Sequence, residues 1–182
     1  MTASLHIPIA ESCIKNKKDM VTASYISPEM ECLNSSAESA GIILLNEIGL
    51  DPGLDHLAAM KIIDECKANG EIIESFVSWC GGLPAPESAA TNPFGYKFSW
   101  SPRGILTASQ NSAKYLENGQ IKEIPGDQLL KSAKEIKNIH PVLMFEGIPN
   151  RDSLKYKKLY GLDDATTMFR GTLRYKVDSS DC

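Results

Sequence analysis

The sequence predicts an α/β chain in two parts: the C-terminal part of a parallel sheet flanked by helices, then an α+β region with a mixed or antiparallel sheet. Helix and strand patterns alternate up to about residue 52, which favours parallel strands joined by helices. After a helix that ends near Gly70 this simple alternation stops, which is typical of α+β folds. We therefore predict a first part over residues 1–52, a second over 53–176 and a short polar tail over 177–182.

The first part is predicted to run helix, strand, helix, strand. Ile9–Asn16 has the apolar spacing of a helix, and Met20–Ala23 and Ile42–Leu45 are short apolar runs that predict buried strands. Ser27, directly before a proline, predicts the start of the helix between these strands. Gly41 is well placed to end that helix. No GxGxxG motif occurs, and no strand precedes the first helix.

The segment Gly49–His56 joins the second predicted strand to a helix that ends near Gly70. Within it, Asp51 directly precedes Pro52, so Asp51 is either the N-cap of that helix or the first residue of a turn. A functional interpretation is also open, because a strand's carboxyl end and a helix's amino end meet here. Open α/β sheets bind ligands at such points.

The second part contains more strands than helices. The predicted strands are Ile73–Trp79, Ile121–Ile124, Val142–Gly147 and Thr166–Lys176, and Tyr96–Ser101 is predicted to be a further strand or an edge segment. The predicted helices are Asp127–Lys137 and Ser153–Tyr160. A loop rich in glycine and proline, Cys80–Pro86, follows the first of these strands.

Composition argues against several classes of function. The net charge is −4, with 42% hydrophobic and 23% charged residues, so nothing suggests a nucleic-acid or membrane partner. No apolar run approaches the roughly 18 residues that a membrane span requires. The cysteines are far apart, odd in number and without a CxxC pair, which argues against a metal site or a disulfide framework: Cys13, Cys32, Cys66, Cys80 and Cys182. A reducing compartment fits this pattern best.

Six short blocks occur in order along almost the whole chain: Val21–Tyr25, Gly49–His56, Cys80–Pro86, Tyr96–Ser101, Asn150–Ser153 and Arg170–Tyr175. Together they closely resemble the saccharopine reductases, which are NADP-dependent, L-glutamate-forming saccharopine dehydrogenases. They also resemble the matching part of the bifunctional aminoadipic semialdehyde synthases of lysine degradation. The resemblance implies the C-terminal part of a Rossmann-like NADP-binding domain, followed by a substrate and dimerisation domain.

The resemblance also implies chain outside this sequence. The family has a glycine-rich phosphate-binding turn before the first block and further residues after the last one. We therefore expect this chain to be a central fragment that does not turn over saccharopine by itself. Selection of NADP over NAD is expected to lie outside it.

The family reaction joins glutamate to 2-aminoadipate 6-semialdehyde as an imine, which NADPH reduces to saccharopine. Saccharopine has three carboxylates, and guanidinium groups bind carboxylates with two parallel hydrogen bonds. Arg151 and Arg174 match the family's substrate-binding arginines. The alternative for each is a surface ion pair or a charge at a sheet edge.

A second requirement is a group that orients the reacting nitrogen and moves its proton. By resemblance, the catalytic candidates are Asp51, Tyr25 and Cys80. The alternatives are a plain buried thiol for Cys80 and a packed tyrosine, hydrogen-bonded to a backbone carbonyl, for Tyr25. No covalent nucleophile is expected, because the cofactor carries the difficult step.

The resemblance also assigns the surrounding contacts. The expected substrate-binding residues are Ser24, Tyr25, Asp51, Arg151, Thr172, Leu173 and Arg174. The expected residues at the nicotinamide end of NADP are Ala23, Ser24, Leu50, Asp51, Pro52 and Ser101. A homodimer is possible, and the location is expected to be cytoplasmic, or mitochondrial if the parent is the bifunctional synthase. The alternative function is a non-catalytic module that binds carboxylates but no nucleotide.

Overall fold

The computed structural model describes residues 3–91, 95–98, 102–108, 110–137 and 139–176. Contacts divide the chain into two compact units, residues 1–65 and 66–182. The predicted domain boundary between residues 52 and 53 stays a prediction.

The first unit is built from short helices and two short strands. The helices are α1 (His6–Asn16), α2 (Pro28–Glu31), α3 (Asn34–Ala40) and most of α4 (Leu54–Ala68), with a 3-10 turn at Ala3–Leu5. The strands β1 (Met20–Val21) and β2 (Leu44–Leu45) pair in parallel. The predicted helix–strand–helix–strand order is therefore present.

Local signals in the first unit act as the sequence predicts. Ser27 caps α2, because its Oγ accepts a hydrogen bond from the Met30 N–H at 3.2 Å, and Pro28 is the first helical residue. Gly41 ends α3 in the left-handed conformation, with φ of 71°. The single predicted helix is nevertheless broken into two short ones between Glu31 and Asn34.

Burial of the two strands is where the prediction was wrong. Val21 is 65% exposed, Ile43 is 63% exposed and Leu45 is 44% exposed. Each strand has only two residues, and among the described strands β1 and β2 pair only with each other. Among the described residues these apolar side chains therefore stay exposed on a two-stranded sheet.

The loop before α4 also differs from the predicted helix cap. The helix begins at Leu54, so Asp51 is not its N-cap and Pro52 is not its first residue. Asp51 and Pro52, joined by a cis peptide bond, lie instead in a turn closed by hydrogen bonds from Gly49 N to Pro52 O and from Leu54 N to Gly49 O. Gly53, at φ of 150°, allows the close approach of the chain that this turn requires.

The second unit is organised around a six-stranded sheet among the described residues. Its strands are β3 (Ser75–Cys80), β4 (Ala113–Glu117), β5 (Gln120–Ile124), β6 (Lys134–Ile136), β7 (Phe145–Pro149) and β8 (Thr167–Tyr175). Its helices are α5 (Pro86–Ala89), α6 (Pro102–Ala108), α7 (Gly126–Leu129) and α8 (Lys155–Leu159), with a 3-10 turn at Leu130–Ser132.

The sheet order is β5-β4-β8-β7-β6, and β3 also pairs with β8. The β3–β8 pair is parallel, and the other pairs of this sheet are antiparallel. This mixed topology confirms the predicted fold class. The long strand β8 is central, because β3, β4 and β7 all pair with it.

In the second unit one predicted helix was wrong, one strand was missed, and one prediction falls partly outside the described residues. The helix over Asp127–Lys137 is instead the short α7, a 3-10 turn and strand β6, which pairs with β7. Residues 96–98 form no strand, and residues 99–101 lie outside the described chain. Strand β4 was missed, although β5, its hairpin partner, matches the predicted Ile121–Ile124. The tail 177–182 lies outside the described residues.

One face of this sheet is shaped by an aromatic side chain over glycines. A Cβ added at Gly171 or Gly147 would collide with the indole ring of Trp79. The same indole packs against Phe169, with ring centroids 4.9 Å apart. Glycine at these two positions therefore lets Trp79 lie flat across β8 and β7.

The described residues reveal neither a membrane span nor a metal cluster. Over these ranges no helix is long and apolar enough to cross a membrane. No group of three or more potential metal ligands occurs in the same part of the chain. Cys13 and Cys32 are free thiols, and Cys182 lies outside the described residues.

Candidate functional site

Two of the predicted catalytic residues lie at the carboxyl end of the parallel strands in the first unit. Tyr25 follows β1, and Asp51 lies in the turn between β2 and α4. The Tyr25 hydroxyl donates a hydrogen bond to Asp51 Oδ1, with an O–O distance of 2.6 Å. This short distance is typical of a hydrogen bond to a charged acceptor. Both side chains are half-buried, so the pair combines a fixed geometry with access from solvent.

Most of the other predicted residues of this unit are neighbours of Tyr25 or Asp51 in sequence. The Ser24 N–H donates to Thr22 Oγ1 at 3.2 Å, which fixes the turn after β1. Ala23 is exposed, and a Cβ on Gly49 would stand 2.9 Å from the Ala23 Cβ, so the two backbones lie close together. Leu50 is 67% exposed, whereas Pro52 is buried. Ser101, the remaining nicotinamide-end candidate, lies outside the described residues.

Four polar residues near this pair were missed by sequence reasoning. Glu47 Oε2 lies 3.4 Å from His56 Nε2, and His56 Nδ1 lies 3.9 Å from Asp55 Oδ2. Asn46 Nδ2 is buried without a hydrogen-bond partner among the described residues. A signal was available, since Asn46 and Glu47 directly follow β2, at the edge where open sheets bind ligands.

In the second unit, the end of β8 brings together most of the remaining candidates. Cys80 pairs in register with Thr172. Side chains alternate between faces along a strand, so Thr172 and Arg174 share one face with Cys80, and Leu173 faces the other way. The backbone of Leu173 lies close to Gly81. A Cβ on Gly81 would collide with the Leu173 carbonyl oxygen. The loop after β3 therefore runs directly against the end of β8.

Arg174 is the candidate whose surroundings favour ligand binding most. Its Nε is buried and has no hydrogen-bond partner among the described residues. The guanidinium carbon lies 5.8 Å from the centroid of the Tyr96 ring, within the range of a cation–π contact. A buried guanidinium N–H without an acceptor is unfavourable, so an incoming carboxylate would be stabilised here.

Arg151 occupies a different place from Arg174. It lies in the turn after β7, is exposed and has a left-handed backbone with φ of 48°. The neighbouring Asn150 N–H donates to the Arg170 carbonyl, so Arg151 lies level with the middle of β8. Arg170 and Arg174 are separated by four residues, about 13 Å of strand. The structure therefore does not bring the two predicted substrate arginines side by side.

An open cavity of about 370 Å³ lies elsewhere in the second unit. It is lined by Ser112, Ala113, Lys114, Glu123, Ile124, Pro125 and Asp152. Lys114 Nζ forms an ion pair with Glu123 Oε1 at 2.6 Å, and this contact raises the pKa of Lys114. Since its lining includes none of the predicted site residues, we assign it no role in the candidate chemistry.

Comparisons with known proteins agree with the resemblance. The family model described as saccharopine dehydrogenase C-terminal domain matches residues 49–181. Rat alpha-aminoadipic semialdehyde synthase, a mitochondrial protein by its name, is 51% identical over 172 residues, which are 94% of this chain and 18% of the rat protein. Saccharopine dehydrogenase [NADP(+), L-glutamate-forming] of Pyricularia oryzae is 49% identical over 173 residues, which are 95% of this chain and 38% of that protein.

Among solved structures, the apo saccharopine dehydrogenase (L-Glu forming) of Saccharomyces cerevisiae superposes with a TM-score of 0.87 at 49% identity. The match covers 97% of this chain and 39% of the yeast chain. This chain thus spans well under half the length of the relatives that it matches. On the match of residues 49–181, the chain belongs to the saccharopine dehydrogenase family, with the C-terminal domain of that family as its largest part.

Proposed function

We propose that this chain supplies substrate-binding and proton-transferring residues of an NADP-dependent, L-glutamate-forming saccharopine dehydrogenase. The observation that carries the proposal is the 2.6 Å hydrogen bond from the Tyr25 hydroxyl to Asp51 Oδ1. A further support is the identity of about half of the residues to enzymes with that name.

In the proposed reaction, the amine of glutamate and the aldehyde of 2-aminoadipate 6-semialdehyde lose water to form an imine. NADPH, when bound, supplies a hydride to the imine carbon, and the imine nitrogen ends as the secondary amine of saccharopine. Asp51 orients that nitrogen and exchanges its proton. Tyr25, which donates a hydrogen bond to Asp51, keeps the carboxylate in one orientation.

Recognition of substrate is assigned to Arg174. Its buried Nε needs an acceptor, and a carboxylate accepts two parallel hydrogen bonds from a guanidinium group. Thr172, on the same face of β8, adds a hydroxyl donor. Leu173 acts through its backbone, and Cys80 forms the wall beside Thr172. We retain Arg151 as a second carboxylate-binding residue, for which its exposed side chain leaves room to turn toward substrate.

The nicotinamide end of NADP is assigned to the first unit. Ala23 and Leu50 offer exposed apolar surface at the carboxyl end of β1 and β2, and Ser24 and Pro52 shape the adjoining turns. The Asn46 amide, buried and without an acceptor among the described residues, fits a ligand that carries carbonyl or phosphate oxygens. The residues present are thus compatible with the cofactor, and Ser101 stays a prediction.

The alternative is a module that binds carboxylates without catalysis. It is favoured by the same observation on Arg174, since that arginine needs an acceptor whether or not a nucleotide binds. Under this alternative the chain binds saccharopine or glutamate but neither NADP nor NADPH.

Two measurements separate these functions. Calorimetry on the 182-residue chain tests saccharopine and NADPH separately: binding of both supports the dehydrogenase, and binding of saccharopine alone supports the module. Turnover is then measured in a chimera in which this chain replaces the segment that it matches in the yeast enzyme. A folded chimera that binds both ligands but does not form NADPH from saccharopine and NADP would contradict the proposed catalytic role.

Location and assembly follow from the parent enzyme. We propose a cytoplasmic protein if the parent is the stand-alone dehydrogenase, and a mitochondrial one if it is the bifunctional synthase. A homodimer through the second unit is also proposed, and light scattering on the purified chain tests it.

A further inference from the structure

We infer that Glu47 is a positioning residue that holds the Tyr25 hydroxyl within hydrogen-bonding distance of the Asp51 carboxylate. The inference rests on the proposed function of that pair. Glu47 does not contact substrate in this proposal. It acts by fixing the backbone on both sides of Tyr25 and the turn that contains Asp51.

Glu47 is hydrogen-bonded to the residues on either side of Tyr25. The Glu47 N–H donates to the Ser24 carbonyl at 3.1 Å. Its carboxylate Oε1 accepts from the Ile26 N–H at 3.0 Å. A single residue therefore fixes the carbonyl before Tyr25 and the amide after it, and so limits where the phenol can point.

Glu47 also contacts the turn that contains Asp51 and the start of the following helix. The Glu47 carbonyl lies against Gly53, where an added Cβ would stand only 2.8 Å from that oxygen. The other carboxylate oxygen, Oε2, lies 3.4 Å from His56 Nε2 in the first turn of α4. Asp51 is therefore flanked on its C-terminal side by two residues, Gly53 and His56, that Glu47 contacts.

The backbone of Glu47 has an uncommon conformation. Its φ of 60° is in the left-handed region, which is uncommon for a residue other than glycine, asparagine or aspartate. A strained conformation persists where surrounding contacts require it, and such residues cluster at functional sites. Here the contacts with Ser24, Ile26 and His56 supply that requirement.

A simple structural role would give a different result from a positioning role, and the Tyr25 phenol reports the difference. The experiment uses the full chain with ¹³Cζ-labelled tyrosine, and Tyr25→Phe assigns the Tyr25 resonance. Asp51→Asn gives the resonance position of a phenol that no longer donates to a carboxylate. Tyr115 and Tyr156 report folding of the second unit, and the methyl resonances of Ala10 and Ile63, both buried in the first unit, show that the unit containing Tyr25 stays folded.

Three variants test the inference. Glu47→Gly removes the side chain and tolerates positive φ, so we expect the Tyr25 resonance to move at least half-way toward its Asp51→Asn position while Tyr115 and Tyr156 stay unchanged. Glu47→Gln keeps an acceptor for the Ile26 N–H, so it should retain most of the parent position. Glu11→Gln, on the exposed surface of α1, should have no effect.

An unchanged Tyr25 resonance in Glu47→Gly would overturn the inference. If that variant fails to fold, amide exchange in the parent chain decides. We expect the Ile26 and Glu47 N–H groups to exchange at least tenfold more slowly than in an unstructured peptide, and unprotected exchange would overturn the inference. Failure of the parent chain to bind saccharopine would instead contradict the proposed function and leave this result standing.

Discussion

The Tyr25 hydroxyl donates a 2.6 Å hydrogen bond to Asp51 Oδ1 across 26 residues of sequence. Neither residue belongs to a helix or a strand, and each follows one of the two parallel strands of the first unit. Since parallel strands end at the same edge of a sheet, the pairing of β1 with β2 is what brings these two side chains together.

Removing either partner should impair the proton step. In the chimera, we expect Asp51→Asn to lower kcat by about 100-fold or more, because general acid–base groups typically contribute that much. Tyr25→Phe should give a smaller loss, since the carboxylate remains. Asp64→Asn, on the exposed side of α4, is the matched control and should leave kcat unchanged. A full rate for Asp51→Asn would show that Asp51 moves no proton.

Arg174 should dominate the recognition of saccharopine. Arg174→Lys keeps the charge but removes the buried Nε donor, so we expect calorimetry to give about a 10- to 100-fold weaker Kd. Lys122→Ala removes an exposed cation from β5 and should leave Kd unchanged. Equal affinity of the Arg174→Lys variant and the parent chain would exclude bidentate binding by this arginine.

Gly171 should not accept a side chain. In Gly171→Ala the new methyl group collides with the Trp79 indole, and we expect a loss of about 1–3 kcal/mol in the free energy of unfolding. Tryptophan fluorescence should change as the indole moves. Gly82→Ala is the control, because a Cβ at Gly82 meets nothing within 4 Å. Equal thermal stability of the two variants would argue against the flat packing of Trp79 on this strand.

One ion pair on the edge strand β6 should make a pH-dependent contribution to the thermal stability of the chain. Lys176 Nζ donates to Glu135 Oε2 at 2.7 Å, and this hydrogen bond and charge hold the pKa of Glu135 below its usual value of 4.5. A carboxyl with a lowered pKa stabilises the folded state above its unfolded pKa, and the effect is lost as pH falls through the folded value.

We therefore expect Glu135→Gln to lower Tm slightly at neutral pH, with the difference from the parent chain shrinking below about pH 4.5. Both residues are partly exposed, so high salt should also reduce the difference. Thermal denaturation over a pH series measures this. A difference that stays constant down to low pH would mean that the pair contributes nothing through charge.

The sequence correctly predicted the ends of helices where they depend on residues close by in the chain. Ser27 and Pro28 start α2, and Gly41 ends α3, because caps act through backbone groups only a few residues away. The segment Thr166–Lys176, which contains threonine and aromatic residues, likewise predicted the long strand β8.

Pairing with distant strands changed the outcome elsewhere. Apolar spacing over Asp127–Lys137 predicted a helix, yet β6 forms there because its backbone pairs with β7. The apolar runs at β1 and β2 predicted burial on both faces, but burial depends on what lies beside a strand and not on the strand's own residues.

The sequence was therefore sufficient to identify the family, a mixed or antiparallel sheet and the candidate residues, since six blocks in register and local periodicity are properties of the chain itself. Which candidates meet depends on the tertiary structure. It joined Tyr25 to Asp51 and placed Cys80 beside Thr172. It also separated Arg151 from Arg174 and revealed Glu47, because strand register and turn geometry set distances between residues that sequence spacing does not encode.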